Sequence, residues 1–462
     1  MPSRGGILLY TGIMLTLSFL GGARSVTGAQ YLLETEKTKI LVDCGLTQGC
    51  HFCEGANTKP FSFDLKTLDA VVITHAHIDH VGLTPKLAKE GYRGPIYATP
   101  ATLEMAKLLL EDSAELLEKE ARERGEETPY APADLESTFS LFHSLDYGHR
   151  ETVGDISFLF HEAGHVLGSS VIEIEADGMR LAFSGDLGNP PTPLLRYPET
   201  ILHADYVIVE SAYGDRIHED RTRRREILED VVEDTVRRAG TLMIPAFAFE
   251  RTQELLHEFH DLMETRKIPR IPIFLDSPLA IRAVDVFRSF TRYFNKETMT
   301  HLSRGERLFE FPQVTFTRTV DESKRINEVK PPKIIIAGSG MMQGGRILHH
   351  ARRYLPDDKS SLLIIGFQAG GSLGRQLLAK TKRVRIFGED IPVRCRVKAI
   401  GGYSAHADQE GLLRWVAASG RPKKIFVVQG EEAASLALRQ RIRDEMGFDA
   451  IVPYLGDRIV LN

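Results

Sequence analysis

Thr74-His75-Ala76-His77-Ile78-Asp79-His80 places three histidines and one aspartate within six residues, directly after the apolar run Leu68–Thr74. Neutral imidazole and carboxylate are good zinc ligands. A strand end would fix the first ligand. A tight turn would then aim His75 and His77 one way and Asp79 and His80 another, so one loop could serve two adjacent metals. A lone histidine in a polar loop would carry no such message. Two further positions suit the same chemistry: His165 in Glu162-Ala163-Gly164-His165-Val166-Leu167-Gly168, and Asp186 in Phe183-Ser184-Gly185-Asp186. Small residues beside each allow the backbone to come close to a metal.

Short strands must position these ligands. Lys39–Val42 ends on Asp43, and Leu15–Leu20, residues 156–160, 170–173, 180–183 and 206–209 read as further strands, with a helix over Thr102–Arg122. From Thr241 onward, strands and helices alternate: TLMIPAF, QELLHEF, IPIFLD, a helix near Ile281–Phe290, KIIIA and LLII. Such alternation predicts a parallel α/β unit. The tail returns to strands from Val384, with a helix at Gln409–Ala417 and a strand at Lys424–Val428. One domain interrupted by a second is the expected plan. The expected divisions are an extension over 1–13, a first part over 14–215, an insert over 216–380 and a completing tail over 381–462.

Whole-chain properties narrow the function classes. With 462 residues, 42% of them apolar, the chain is long enough for two or three domains. A net charge of −5 means that any grip on nucleic acid must be a local patch rather than a global basic field. Four cysteines without dense spacing predict a reducing, cytoplasmic setting. Cys50-His51-Phe52-Cys53 looks like half a zinc site but has no second CxxC, so loop thiols are the plainer reading. The apolar stretch Ile7–Leu20 resembles a short signal peptide. Because it includes an expected core strand, export is not expected, and Met14 is a plausible start. No other stretch is apolar and long enough to cross a membrane.

The HxHxDH loop, the isolated His165 and the strand-end Asp186 together resemble the metallo-β-lactamase superfamily. That resemblance implies an α/β fold, an αβ/βα sandwich with metals at one edge. It assigns His75, His77 and His165 to one zinc, Asp79 and His80 to a second, and Asp186 as the bridge. Asp43 matches the family's buried aspartate that orients ligands. The second half is similar to the β-CASP nucleases, the RNA-processing branch that includes the mRNA 3′-end endonuclease and its bacterial and archaeal relatives. The similar segments are Glu210-Ser211-Ala212-Tyr213-Gly214-Asp215, Pro245–Ala248, Arg251–Leu256, Asp276–Ala280, Gly338–Met342, Gly371–Gln376 and Gly402-Tyr403-Ser404-Ala405-His406-Ala407-Asp408.

The resemblance implies a zinc-dependent ribonuclease with two zinc ions per chain, leaving 5′-phosphate and 3′-hydroxyl ends. Two zincs can generate a hydroxide nucleophile at neutral pH and clamp the phosphate. His406 is the candidate general acid for the leaving oxygen, oriented by Glu210, with Asp79 and Asp186 completing the catalytic set. Ser339 and Gly340 follow the strand KIIIA and could hold a phosphate, with Arg346 and Arg375 adding charge. Single-stranded RNA is the expected substrate, DNA the sub-variant, no membrane is involved, and a homodimer stays open. The departure is Val427-Val428-Gln429-Gly430-Glu431, where these nucleases carry a histidine that binds the second zinc. Gln429 there predicts a weaker second site. The competing expectations are a non-catalytic RNA-binding homologue and a small-molecule hydrolase of the same fold. Arg221–Arg225 (RTRRR) reads as a solvated helix face.

Overall fold

The computed structural model describes residues 15–48, 55–218, 223–366, 368 and 371–462. The expected extension over 1–13, the start at Met14, the Cys50/Cys53 pair and Arg221 lie outside these residues.

Leu15–Gly21 is a strand with Leu15, Leu17 and Phe19 fully buried. It pairs antiparallel with Gln30–Glu34 on one side and with the C-terminal Arg458–Leu461 on the other. The sheet continues through Lys39–Val42, Ala70–Val72, Ile96–Ala98 and Phe142–Ser144. A second seven-stranded sheet runs Ala450–Ile451, Lys424–Val428, Tyr206–Glu210, Met179–Phe183, Ser170–Ala176, Ile156–Glu162 and Arg150–Val153. The two sheets face each other across one apolar cluster, with Leu17, Phe19, Leu33 and Val42 meeting Phe158, Phe160, Ile172, Phe183 and Phe426. Sheets bury their apolar faces in this way because each strand exposes a continuous side-chain row to its partner layer.

The helix Pro100–Arg124 covers the first sheet. Thr99 caps it by accepting the Thr102 N–H, proline opens it, and Gly125 closes it in the left-handed conformation. Its first half buries Ala101, Met105, Ala106 and Leu110, whereas its second half is mostly solvated, as the charge pattern requires.

The insert is a six-stranded, all-parallel sheet in the order Val314–Phe316, Ile273–Asp276, Lys333–Ala337, Thr241–Pro245, Ser361–Ile364 and Arg396–Ala399. The last strand corrects the expected boundary at 380/381. Arg396–Ala399 pairs in parallel with Ser361–Ile364, and Val384, Ile386 and Ile391 pack on the insert's core, so the insert reaches about residue 399. Short alternating strands carry no information about which sheet edge they will extend. One apolar cluster runs from the sandwich into the insert through Leu167, Leu194, Phe249, Phe294 and Tyr403. Among the described residues no helix is long and apolar enough to cross a membrane.

Candidate metal centre and proton donor

Five strand ends open onto one edge of the sandwich. Ala70–Val72 leads to the histidine loop, the turn between Ile156–Glu162 and Ser170–Ala176 carries His165, and Met179–Phe183 leads to Asp186. Tyr206–Glu210 ends on Glu210 itself, beside Lys424–Val428, which leads to Gln429. Parallel pairing of neighbouring strands puts their ends at the same edge, so residues far apart in sequence converge.

The histidine loop is zipped by backbone hydrogen bonds to a second loop: Cys44 N–H to His80 O (2.7 Å), Leu46 N–H to Ile78 O (3.0 Å) and Ala29 N–H to Asp79 O (2.9 Å). Gly45 lies so close that a Cβ there would sit 1.7 Å from the Asp79 carbonyl oxygen. Gly45→Ala is therefore expected to push the loop off its ligand geometry, costing about 1–3 kcal/mol of stability and much of the bound metal. Thermal melting and metal analysis check it; an unchanged metal content would contradict it.

The ligand atoms converge. His77 Nδ1 lies 3.1 Å from His75 Nε2 and 3.2 Å from His165 Nε2. Asp186 Oδ2 is 3.4 Å from His75 Nε2 and 3.6 Å from His165 Nε2. Four tetrahedral ligands at a zinc–nitrogen distance of about 2.0–2.1 Å stand roughly 3.3 Å apart, so these spacings fit one zinc. On the other side of the same carboxylate, Asp186 Oδ1 is 3.5 Å from His80 Nε2, which is 3.6 Å from Asp79 Oδ2. Asp43 accepts the Thr74 N–H (2.8 Å) on one oxygen and contacts His80 Nδ1 (2.7 Å) with the other, aiming His80 Nε2 at the site.

The electrostatics ask for a cation. Burial and neighbouring imidazoles hold His75, His77 and His165 below the ordinary histidine range, so they are neutral lone-pair donors. Burial opposes a charge on His80, but Asp186, Asp43 and Asp79 outweigh it and push that imidazole up to about 10. Asp186 Oδ1 is buried with no hydrogen-bond partner among the described residues. Buried carboxylates crowded in this way need positive charge, and metal ions answer that need.

Gln429 meets the second position differently. Its Nε2 donates to Val26 O (3.0 Å) and to Asp79 Oδ2 (3.0 Å), and it lies 3.1 Å from His80 Nε2. The bond to the Val26 carbonyl sets the amide with its NH2 towards the ligands, and an NH2 group offers no lone pair to a metal. Gln429→His is expected to raise zinc occupancy at limiting zinc from nearer one ion per chain towards two. Equal, full occupancy in both proteins, read by metal analysis after dialysis, would overturn this.

His406 sits beside the centre. Its Nδ1 is 3.2 Å from Glu210 Oε2 and 3.8 Å from Asp186 Oδ2. Glu210 is fully buried and anchored by the Leu187 N–H (2.7 Å). Burial works against charge on His406, but Glu210 and Asp186 prevail and push it up to about 9.

The residues expected to hold phosphate are placed otherwise. Ser339 Oγ accepts the N–H groups of Gln343 and Gly344 at 3.1 and 3.3 Å, inside its own turn. Gly340 lies against the Phe247 ring, and its carbonyl accepts from Gln368 (2.9 Å). Arg346 corrects the expectation most clearly. Its guanidinium donates to Asp276 Oδ1 (2.7 Å), Thr317 O (2.9 Å) and Arg318 O (3.0 Å). The buried Asp276 carboxylate also takes His350, Thr317 and Ser323, so Arg346 serves the insert's core. Arg375 is exposed and has no ion-pair partner among the described residues. Thr74, which ties Asp43 to the loop, and His218, whose Nε2 contacts the His406 carbonyl at 3.1 Å, carry no separate signal in the sequence.

Known proteins bear on this site. The Metallo-beta-lactamase superfamily profile matches residues 26–236, the Beta-Casp domain 252–377, and the Zn-dependent metallo-hydrolase RNA specificity domain 390–453. A Thermus thermophilus protein named as a ribonuclease is 40% identical over 419 residues, spanning 90% of this chain and 94% of its own length. A Methanocaldococcus jannaschii protein named as a transcription termination factor is 31% identical, spanning 96% of this chain and 71% of its own. An RNase J-like protein of the same organism is 31% identical, spanning 96% of this chain and 99% of its own. A solved structure of a protein of unknown function from Enterococcus faecalis V583 shares the fold, with a TM-score of 0.55 at 15% identity, covering 97% of this chain and 100% of that one.

Proposed function

The chain belongs to the metallo-β-lactamase superfamily, in the branch that carries a Beta-Casp domain, and from that premise we propose that it hydrolyses single-stranded RNA with two zinc ions. The observation that carries this reading is the placement of His406 between Glu210 at 3.2 Å and Asp186, the carboxylate shared by both ligand sets, at 3.8 Å. His75, His77, His165 and Asp186 would hold one zinc, and Asp79, His80 and Asp186 the other. Zinc held there supplies Lewis acidity, making water a competent nucleophile at neutral pH and offsetting phosphoryl charge.

The chain's own groups do the rest. Glu210 keeps His406 charged and aimed, and His406 delivers its proton to the departing 3′-oxygen. The bond from phosphorus to that oxygen breaks, the water oxygen stays on phosphorus, and the ends are a 5′-phosphate and a 3′-hydroxyl. A narrow cleft between the metal loop and the insert would admit a single strand better than a duplex.

The test is the chemistry of the product ends from a single-stranded RNA, with the same sequence as DNA alongside. Fragments bearing a 5′-phosphate and 3′-hydroxyl support the reading. Cyclic or 3′-phosphate ends would sink it, since both require the bond from phosphorus to the 5′-oxygen to break, the cyclic product with the ribose 2′-hydroxyl as nucleophile. Faster cutting of the DNA would reassign the substrate.

A further inference from the structure

We propose that Glu250 and Arg251, where the insert's helix Arg251–Glu264 begins, are positioning residues that hold the His406 loop in its proton-donating place. This inference rests on the reading of His406 as the proton donor. It means that the insert builds part of the active site as well as covering it.

The chain enters that helix through an unusual turn. Glu250 has φ 62° and ψ −56°, and the Arg251 N–H donates to Phe249 O at 2.7 Å. A three-residue turn of this hand is rare and strained for a residue with a side chain. The Glu250 side chain is buried, and neither carboxylate oxygen has a hydrogen-bond partner among the described residues. The nearby backbone amide is that of Leu167, two residues beyond the ligand His165. A strained backbone and a buried carboxyl with one backbone amide nearby both cost stability, so the geometry they produce needs a reason.

Arg251 supplies it. Its Nη1 donates to the Tyr403 carbonyl at 2.7 Å and to the Glu254 carboxylate. Tyr403 is fully buried, and its hydroxyl bonds to Glu258. Glu258 pairs with Arg224 at 2.6 Å, and the Arg224 guanidinium lies 5.1 Å from the Tyr403 ring centre. The insert thus grips Tyr403 by carbonyl, ring and hydroxyl. Three and four residues on, the sandwich grips the same loop: His406 bridges to Gly188, and Ala407 N–H donates to Leu187 O at 2.7 Å. His406 is strung between these two anchors.

A purely structural role fits less well. Buried ion pairs are weak stabilisers, and apolar residues of similar volume often do as well or better. Arg224, Arg251, Glu250, Glu254 and Glu258 all lie in one seam, each less than a tenth exposed. Arg251, Glu258 and Arg224 each touch Tyr403 and so set its orientation and, through it, that of His406.

The experiment compares the full-length protein with Arg251→Met and Arg251→Lys. Two substrates are used: a single-stranded RNA, and the same RNA with sulfur in place of the bridging 3′-oxygen. A thiolate leaves without a proton, so the second substrate does not need His406 as an acid. For Arg251→Met, kcat on the normal RNA is expected to fall about 10- to 100-fold, part of the roughly 10²- to 10⁴-fold that a general acid supplies. KM and zinc content stay within about twofold, and cleavage of the sulfur-containing RNA falls far less. Arg251→Lys keeps a donor for the Tyr403 carbonyl and recovers part of the rate.

Equal losses on both substrates, or no loss on the normal RNA, would overturn the inference. If Arg251→Met does not fold, Tyr403→Phe, which frees the ring from Glu258 while keeping the carbonyl, is read on the same two substrates with the same criteria. The wild-type arm tests the underlying reading. RNA left intact by the wild type would overturn the ribonuclease assignment and this inference with it. Normal wild-type cleavage with equal variant losses would overturn this inference alone.

Discussion

Asp186→Asn is expected to lower RNA cleavage by at least about 10³-fold, or roughly 4 kcal/mol of transition-state stabilisation, and to release bound zinc. The two oxygens of this one side chain face different ligand sets: Oδ2 is 3.4 Å from His75 Nε2, and Oδ1 is 3.5 Å from His80 Nε2. Asparagine keeps the shape but removes the charge and one of the two acceptors. The side chain is buried among imidazoles that would then have no shared counter-charge. Metal analysis of the purified variant and single-turnover cleavage of labelled RNA check both halves. A variant that keeps full zinc and cuts near the wild-type rate would show that Asp186 does not join the two sets.

His406→Ala has the second-largest expected effect, a fall in kcat of about 10²- to 10⁴-fold with zinc retained. The separation of activity from metal content is what distinguishes this residue from the ligands. His406 meets Glu210 at 3.2 Å but makes no closer approach than 3.8 Å to the shared Asp186. Loss of the imidazole should therefore leave the zinc ligands in place. Glu210→Gln should follow in the same direction, since it removes the charge that keeps His406 protonated. Zinc lost along with activity in His406→Ala would move His406 from proton donor to ligand.

How much of this was legible in sequence depended on the spacing of the partners. His75, His77, Asp79 and His80 announced themselves because six adjacent residues supply most of the ligands. His165 and Asp186 stood out only beside the histidine loop, and Glu210 and His406 needed the family pattern, because strand pairing brings them together. Tyr206–Glu210 aligns with Lys424–Val428, more than 200 residues later, and no local periodicity encodes that register. The pairing of Arg346 is hidden in the sequence for the same reason. Its partner Asp276 lies 70 residues away, and a buried carboxylate claims the nearest guanidinium before any ligand can. Arg396–Ala399 falls within the stretch from Val384 expected to return to strands, but nothing in it marks a member of the insert's sheet. The turn at Glu250 left no trace, since glutamate gives no warning of positive φ. The departure at Gln429 was plain as a residue, yet the direction of its amide came only from the Val26 carbonyl beside it.

The central claim is that this chain cuts RNA through metal held by the histidine loop. Its most direct test is cleavage of an end-labelled single-stranded RNA by the protein as purified, after chelation, and after zinc is restored, with Asp79→Ala treated in parallel. The account predicts cutting that disappears on chelation, returns with zinc and is absent from Asp79→Ala throughout. Cutting that survives chelation or persists in Asp79→Ala, or RNA left intact by the wild type at saturating zinc, would contradict it.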